Sequence, residues 1–391
     1  MSSKSRWAVF LISTPLVALV AIGGLLGAST EPPQRNDQNL VVFRDVLGLV
    51  IQNYVEPVDV DRVFEGAMRG LAEGMDSASA YLTPDEVRAI ESTTPMPAAD
   101  VGLVVTRQFY LRVVGVRDGS PAAKAGIQTG DYLRMIDGKP TRDMSAVTGT
   151  RLLRGAPGSK LAVTVIRGNP ADPHQIELVR AVPTGGITTN TLPGGFARVR
   201  IVSFVPDAAT LLKSTFDQLA KQKVTGAVID LRGTADGDLE TGLAAAKLFL
   251  KSGTVGIRAG RKTEKVTTTA GPGDGAVTMP VVLLVSNGTA NAAEVFAAAL
   301  SGNDRAELVG EPTAGIAARQ RLVRLPGNYG LWMTYERYLT VDGAGPIHER
   351  GLRPTVGVEM PVIGFDELPP ASDAPLTKAT EVLKKAKGTG L

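Results

Sequence analysis

Two stretches limit the fold most: VTGAVIDLRG (Val224 to Gly233) and MPVVLLVSNGTANAAEVFAAAL (Met279 to Leu300). Each contains a short, uninterrupted apolar run that ends in a polar turn with glycine. Apolar runs without alternation suit strands covered on both faces. In the second stretch an alanine-rich helical segment, Asn291 to Leu300, follows at once. The same alternation runs through the whole region after Gly185. Strands are expected at Phe196–Phe204, Val224–Leu231 and Val281–Val285, and helices at Asp207–Gln222, Leu239–Leu250 and Asn291–Leu300. Strand and helix in alternation argue an α/β core around a mostly parallel sheet. From Arg321 to Val341 the pattern changes to that of an antiparallel hairpin.

A chain of 391 residues is long enough for two or three domains, and the region before Gly185 reads differently from the core. Residues 31–38 (EPPQRNDQ) are polar with two prolines, a linker. Residues 39–94 form a helical segment. Phe43, Val46, Leu47, Val50 and Ile51 recur at helical spacing, as do Val60, Val63, Phe64, Met68 and Leu71. Thr83-Pro84-Asp85-Glu86 supplies an N-cap, a first-turn proline and a capping-box glutamate. Residues 95–183 then show short strands and turns, with Asp137-Gly138 as a tight hairpin turn and a helix over Thr141–Arg154. Residues 364–391 are a C-terminal tail with a lysine-rich helix around Glu381–Lys387.

Composition removes several chemistries. There is no cysteine, so disulfides, thiolate nucleophiles, cysteine zinc sites and a lipoprotein anchor are excluded. With only His174 and His348, a histidine triad or metal cluster is not expected, and neither a metal nor a cofactor is implied. A net charge of +3 with scattered basic residues gives no nucleic-acid partner. At the N-terminus, Lys4 and Arg6 precede an apolar run from Trp7 to Gly27. That length spans a bilayer, so residues 1–30 read as an uncleaved signal anchor in preference to a cleaved signal peptide. The positive flank places the remainder outside the inner membrane.

The segments VGLVV (Val101–Val105), GSPAAKAGIQTGDYLRMIDGKP (Gly119–Pro140) and RGAPGSKLAVTVIRG (Arg154–Gly168) together resemble a PDZ domain. The resemblance implies that a peptide C-terminus adds as a strand, its carboxylate held by backbone N–H groups around Val101, Gly102, Leu103 and Val104. YVEPVDVDRVFEGAMRGL, DSASAYLTPDE, DLRGTADG, VVLLVSNGTANAAEVFAAAL, VGEPTAG and GLRP follow in the order found in the carboxyl-terminal processing (tail-specific) proteases, and the chain resembles that family. The implied architecture is a Clp-protease/crotonase-like core over 184–363, with a PDZ domain inserted after the N-terminal helical segment. The implied place is the bacterial cell envelope, on the periplasmic side, anchored to the inner membrane.

In that family a serine at a helix N-terminus is the nucleophile. A lysine 25 positions later is its base, and a glutamine four further on orients the lysine. A serine hydroxyl needs such a base, and lysine can serve only if burial lowers its pKa. With Glu294 fixing the register, the nucleophile position is Asn291, the lysine position Ile316 and the glutamine Gln320. The first glycine of the family's oxyanion turn is Asp236, followed by Gly237. A carboxylate there would oppose a developing oxyanion. The resemblance therefore implies a family member without its chemistry, binding protein C-termini or an active relative. The alternatives are an active serine- or threonine-type peptidase using Ser286 or Thr289, or small-ligand binding in the former cleft. The residues also have purely structural readings. Asn291 can be an N-cap to which Glu294 bonds back. Gln320 reads as a polar residue at a strand start, His348 as a surface loop residue, and Asp230 with Arg232 as a structural pair. Lys262 and Lys265 are far in sequence from the site.

Overall fold

The computed structural model describes residues 35–168, 172–184, 186–361, 363–365, 367 and 370–388. The apolar run from Trp7 to Gly27 and the linker up to residue 34 lie outside them. Among the described residues no helix is long and apolar enough to cross a membrane. The chain divides into two compact units, residues 1–67 and 68–391. The first holds α1 (Arg35–Asn53) and the start of α2 (Val60–Glu73). After α2 come β1 (Ala80–Leu82) and α3 (Pro84–Glu91). The capping box of α3 forms as its sequence requires: Thr83 Oγ1 accepts from the Glu86 N–H, and Glu86 Oε2 accepts from the Thr83 N–H at 2.9 Å.

The PDZ sheet contains β2 (Leu103–Gln108), β3 (Tyr110–Val116), β4 (Tyr132–Ile136), β5 (Lys139–Pro140), β6 (Lys160–Ile166) and β7 (His174–Val179). Its order is β2-β3-β4-β6-β7, with β5 on β4, which leaves β2 at an edge. Asp137 and Gly138 both take positive φ, 46° and 73°, as a two-residue hairpin turn demands. Two helices pack here, α4 (Pro121–Lys124) and α5 (Ala146–Leu153). The second starts later than Thr141. Thr141 Oγ1 donates to the Leu133 carbonyl and so stays with β4, and Ser145 caps the helix by accepting from the Thr148 N–H at 3.0 Å.

The core sheet is built from β8 (Ile187–Leu192), β9 (Phe196–Ile201), β10 (Gly226–Asp230), β13 (Val281–Val285), β14 (Leu308–Gly310) and β17 (Val356–Gly357). Its order is β17-β14-β13-β10-β9-β8. All neighbours are parallel except β8 and β9, so the alternation did predict the sheet, with one antiparallel edge added. Successive strand residues point to opposite faces. Ala227, Ile229, Val281, Leu283 and Val285 face α6 (Ala208–Lys221), α7 (Leu239–Lys247) and α8 (Ala292–Gly302). Val228, Val282 and Leu284 face the last helix, α9 (Ala374–Gly388), at Ala379, Val382 and Leu383. Every residue of α8 from Ala292 to Leu300 is buried, which explains a helix apolar all round. Phe296 anchors it between Phe204 and Phe249, ring centroids 5.5 and 5.7 Å away.

A second, antiparallel sheet carries β1, β11 (Gly253–Ala259), β12 (Val266–Ala270), β15 (Ala318–Arg324) and β16 (Gly330–Leu339). The β15–β16 hairpin matches the expected change of pattern, while β11 and β12 are strands the sequence did not announce. Through β1, paired as Ala80↔Trp332, the segment after α2 is sewn into this sheet.

Candidate functional site

β13 runs out at Val285, and residues 286–290 turn the chain into α8. Asn291 stands at the helix start with φ 52° and ψ −121°. This is a strained backbone for a residue with a Cβ. It rotates the side chain away from the helix, and Asn291 Nδ2 donates to the Ala235 carbonyl at 2.8 Å. The expected N-cap is therefore wrong: Asn291 makes no side-chain cap bond. Glu294 does not bond back to it either. Fully buried, Glu294 accepts from Thr313 Oγ1 and from the N–H groups of Gly315 and Ile316, both at 2.7 Å. Burial pushes its carboxyl up to about 7, against the pull of those donors and of His348. Glu294 thus pins the loop carrying Ile316 to the helix carrying Asn291.

The two nearest hydroxyls are occupied. Thr289 Oγ1 donates to the Leu231 carbonyl at 2.8 Å and accepts from the Ser286 N–H at 3.0 Å. Ser286 Oγ accepts from the N–H groups of Gly288 and Gly233, at 3.2 and 3.3 Å. Both residues are buried. Gly288 is required by close approach: a Cβ there would come within 2.9 Å of the Val114 carbonyl of the PDZ sheet.

Asn291, Ile316 and Gln320 do converge. They line one cavity of about 580 Å³ together with Val104, Val105 and Thr106 of β2, Ala146, Val147, Thr150 and Arg151 of α5, and Ile90, Met96 and Trp332. The groove beside the edge strand of the PDZ sheet therefore opens directly onto the Asn291 position. Ile316 packs near Val114, Ala235 and Ala290. Gln320 Nε2 lies 3.4 Å from Thr334 Oγ1. Among the described residues lining this cavity none is lysine, histidine, aspartate or glutamate. Lys262 lines a different cavity, with Asp76 and His348.

The turn at Asp236 is tied to the PDZ domain in a way that sequence distance hid. Asp236 Oδ2 accepts from Arg117 Nη2 at 2.8 Å, across 119 positions. Arg117 is buried and also grips Asp100, at 2.8 and 3.0 Å. Asp100 Oδ1 in turn accepts from the Gly102 N–H at 2.8 Å. Of the backbone donors expected for a carboxylate in Val101–Val104, that of Gly102 is thus already engaged. Burial would lower the Arg117 pKa, but its two carboxylate partners raise it above the usual arginine value. Gly237, with φ 131°, packs on Phe204, and a Cβ there would lie 2.6 Å from the Phe204 Cβ. A second bidentate pair, Arg200 with Asp118 at 2.8 Å for both bonds, joins core and PDZ domain. No local pattern marks Arg117, Asp100 or Arg200. Only the pairing of distant elements brings them together.

His348 is not a surface residue. It is 5% exposed, with Nε2 3.8 Å from Asp76 Oδ2 and 3.7 Å from Glu349 Oε1. Burial alone would raise Asp76, but the neighbouring His348 and the N–H groups of Ala78 and Ser79, at 3.0 and 2.7 Å from Oδ1, hold it well below the usual carboxylate range. Asp230 is buried between Arg198 and Arg232, at 2.8 and 2.7 Å, a structural pair as expected. Burial would raise its pKa, and the arginines outweigh that and lower it.

Comparison with known proteins agrees with this geometry. The model of peptidase family S41 matches residues 195–358, and that of the PDZ domain residues 112–167. The chain is 27% identical over 363 residues to a carboxy-terminal-processing protease of Bartonella bacilliformis, covering 91% of this chain and 83% of that one. It is 30% identical over 310 residues to a carboxyl-terminal-processing protease of Synechocystis sp., covering 77% and 72%. Among solved structures, the photosystem II D1 C-terminal processing protease superposes with a TM-score of 0.65 at 26% identity, covering 83% of this chain and 94% of that one. With its S41 core, its PDZ domain and relatives of this kind along most of its length, the chain belongs to the carboxyl-terminal-processing protease family.

Proposed function

We propose that this protein is a catalytically inactive member of its family that binds C-terminal segments of other proteins, an active relative among them. Its place would be the periplasmic side of the bacterial cell envelope, held there by the apolar segment after Lys4 and Arg6. One observation carries the reading. Asn291 and Ile316 stand where the family's motif calls for serine and lysine, and the cavity they share has no lining residue that can act as a base; of the carboxylates in the adjoining cavity that Asn291 also lines, Asp100 and Asp236 are held by Arg117 and Asp238 caps a helix. The nearby Ser286 and Thr289 hydroxyls are buried in backbone hydrogen bonds, which argues against displaced catalysis.

Binding is supported by the free edge of β2 beside α5. An extended peptide would pair with that edge and place alternate side chains in the groove. Its inner end would meet Ile316 and Trp332. The test is a peptide-hydrolysis assay of wild type beside Asn291→Ser/Ile316→Lys, with fluorescence anisotropy on the same labelled C-terminal peptides. Wild type is expected to bind without cleaving. Cleavage by wild type, or labelling of it by a fluorophosphonate, would overturn the inactive reading. A second reading, a small apolar ligand, is favoured by the size and mostly apolar lining of the cavity, which fall in the range of ligand sites. A thermal shift with acyl compounds but not with peptides would select it.

A further inference from the structure

A second cavity lies across the β15–β16 hairpin from Asn291. Successive residues of a strand face opposite ways. Gln320 and Trp332 line the cavity at Asn291, and their neighbours Arg321 and Met333 line the other. The two cavities share no lining residue. The second measures about 740 Å³, within the range of ligand sites. Sheet pairing explains why it exists. β15 takes one edge of β16 from Gly330 to Arg337. On the other edge β1 stops at Trp332 and β11 at Arg337. Among the described residues no strand pairs with residues 333–336 on that edge, and the cavity opens in the gap.

Its lining holds two kinds of unmet group. The first is His348, 5% exposed, with no hydrogen-bond partner on either ring nitrogen. A buried polar group left so calls for a partner. Nε2 faces Asp76 Oδ2 at 3.8 Å and Glu349 Oε1 at 3.7 Å, too far for hydrogen bonds. The backbone donors to Asp76, from Ala78 and Ser79, both go to Oδ1. The second kind is cationic. Arg261, Lys262, Arg321 and Arg337 line the same cavity, are exposed, and make no ion pair among the described residues. Arg321 lies over the Tyr335 ring, 5.1 Å from its centroid. Glu336, the remaining carboxylate of the lining, is already held by Arg258 and Arg319.

The two kinds ask for opposite charges. An ammonium has three donors and no acceptor, and would satisfy His348 Nε2, Asp76 Oδ2 and Glu349 Oε1 together. Among the described residues no group of histidine, aspartate and glutamate could hold a metal ion. The guanidinium fork of arginine matches the oxygens of a carboxylate or phosphate. A plain anion would answer the arginines but meet repulsion from Asp76 and Glu349. We infer that this cavity binds a small zwitterion. Its ammonium sits among His348, Asp76 and Glu349, and its carboxylate or phosphate meets Arg321, Arg337 and the Arg261–Lys262 turn. Unblocked dipeptides and ethanolamine phosphate share that chemistry. The inference is independent of whether the core cleaves or binds C-termini.

The test is calorimetric titration of the full chain, in detergent, with glycylglycine and with ethanolamine phosphate. N-acetylglycylglycine and ethyl phosphate serve as analogues without the ammonium, and ethanolamine as one without the anion. At least one zwitterion is expected to bind at least tenfold more tightly than its own analogues, and which one it is tells the carboxylate source from the phosphate source. Glu349→Gln, and separately Arg321→Gln/Arg337→Gln, change exposed side chains only. Each should weaken that binding at least tenfold at an unchanged melting temperature. Val147→Arg, in the other cavity, should leave it unchanged. Equal binding of a zwitterion and its ammonium-free analogue would make this a plain anion site and overturn the inference. Binding of neither zwitterion, or undiminished affinity in Glu349→Gln, would overturn it as well.

Discussion

Glu294 shows how one buried residue can hold a helix to a distant loop. It links the helix of Asn291 to the loop of Ile316 through three accepted hydrogen bonds, with no solvent contact. Its folded pKa, about 7, lies above the ordinary glutamate value of 4.5. The folded state therefore holds this proton more tightly than the unfolded state. Stability from Glu294 is complete below about pH 4.5 and is lost as pH rises toward about 7, by on the order of 3 kcal/mol. Melting temperature followed from pH 4.5 to 7.5 should fall in wild type. In Glu294→Gln that decline should be absent, because the amide does not titrate. Asp76 acts in the opposite sense: its folded pKa is depressed, so its contribution disappears only as pH falls below the usual carboxylate range. At Asn291, Asn291→Ser alone should leave hydrolysis undetectable, since no lysine or histidine lines the cavities beside it and the nearby aspartates are held by Arg117 or by a helix N-terminus.

At the scale of elements, α8 and the β2–α5 groove answer to different forces. Helix α8 is held by packing on every side, and Phe296 fills the space between Phe204 and Phe249. Phe296→Ala should cost about 3–5 kcal/mol of unfolding free energy in denaturant titrations, from lost transfer and a residual cavity. The groove is held by an edge strand with one neighbour and by a short helix capped at Ser145. Val147→Arg would place a long charged side chain there. Anisotropy with a C-terminal peptide should show at least tenfold weaker binding at an unchanged melting temperature. Unchanged affinity would remove the groove from the binding reading.

For the body of residues 68–391, the ties between PDZ domain and core stand out. Arg117 joins Asp100 to Asp236, and Arg200 joins Asp118 to the core strand β9. Asp236 supplies a carboxylate that ties its turn to Arg117 of the PDZ domain. Asp236→Gly should raise hydrogen exchange of residues 233–237 and leave that of β10 unchanged. If exchange at the turn does not rise, the ion pair is not what holds it.

The sequence by itself determined the layers of the core. Apolar runs such as VVLLV specify strands covered on both faces, and the alanine-rich segment after it specifies a helix packed all round. Spacing within the motif led from Glu294 to Asn291, Ile316 and Gln320, and these three side chains line one cavity. The Thr83 capping box was legible too, since all its partners lie within four residues. The roles of Asn291, Glu294 and His348 were not. Local rules favour a cap at Asn291, but a positive φ turns that side chain toward Ala235, and φ is set by how β13, α8 and the PDZ sheet meet. The partners of Glu294 come from a loop about 20 positions away, and His348 is buried because distant segments close over it. The Arg117–Asp236 pair spans 119 positions. Local propensity carries no information over such a distance, so only the packing of one domain on another decides it.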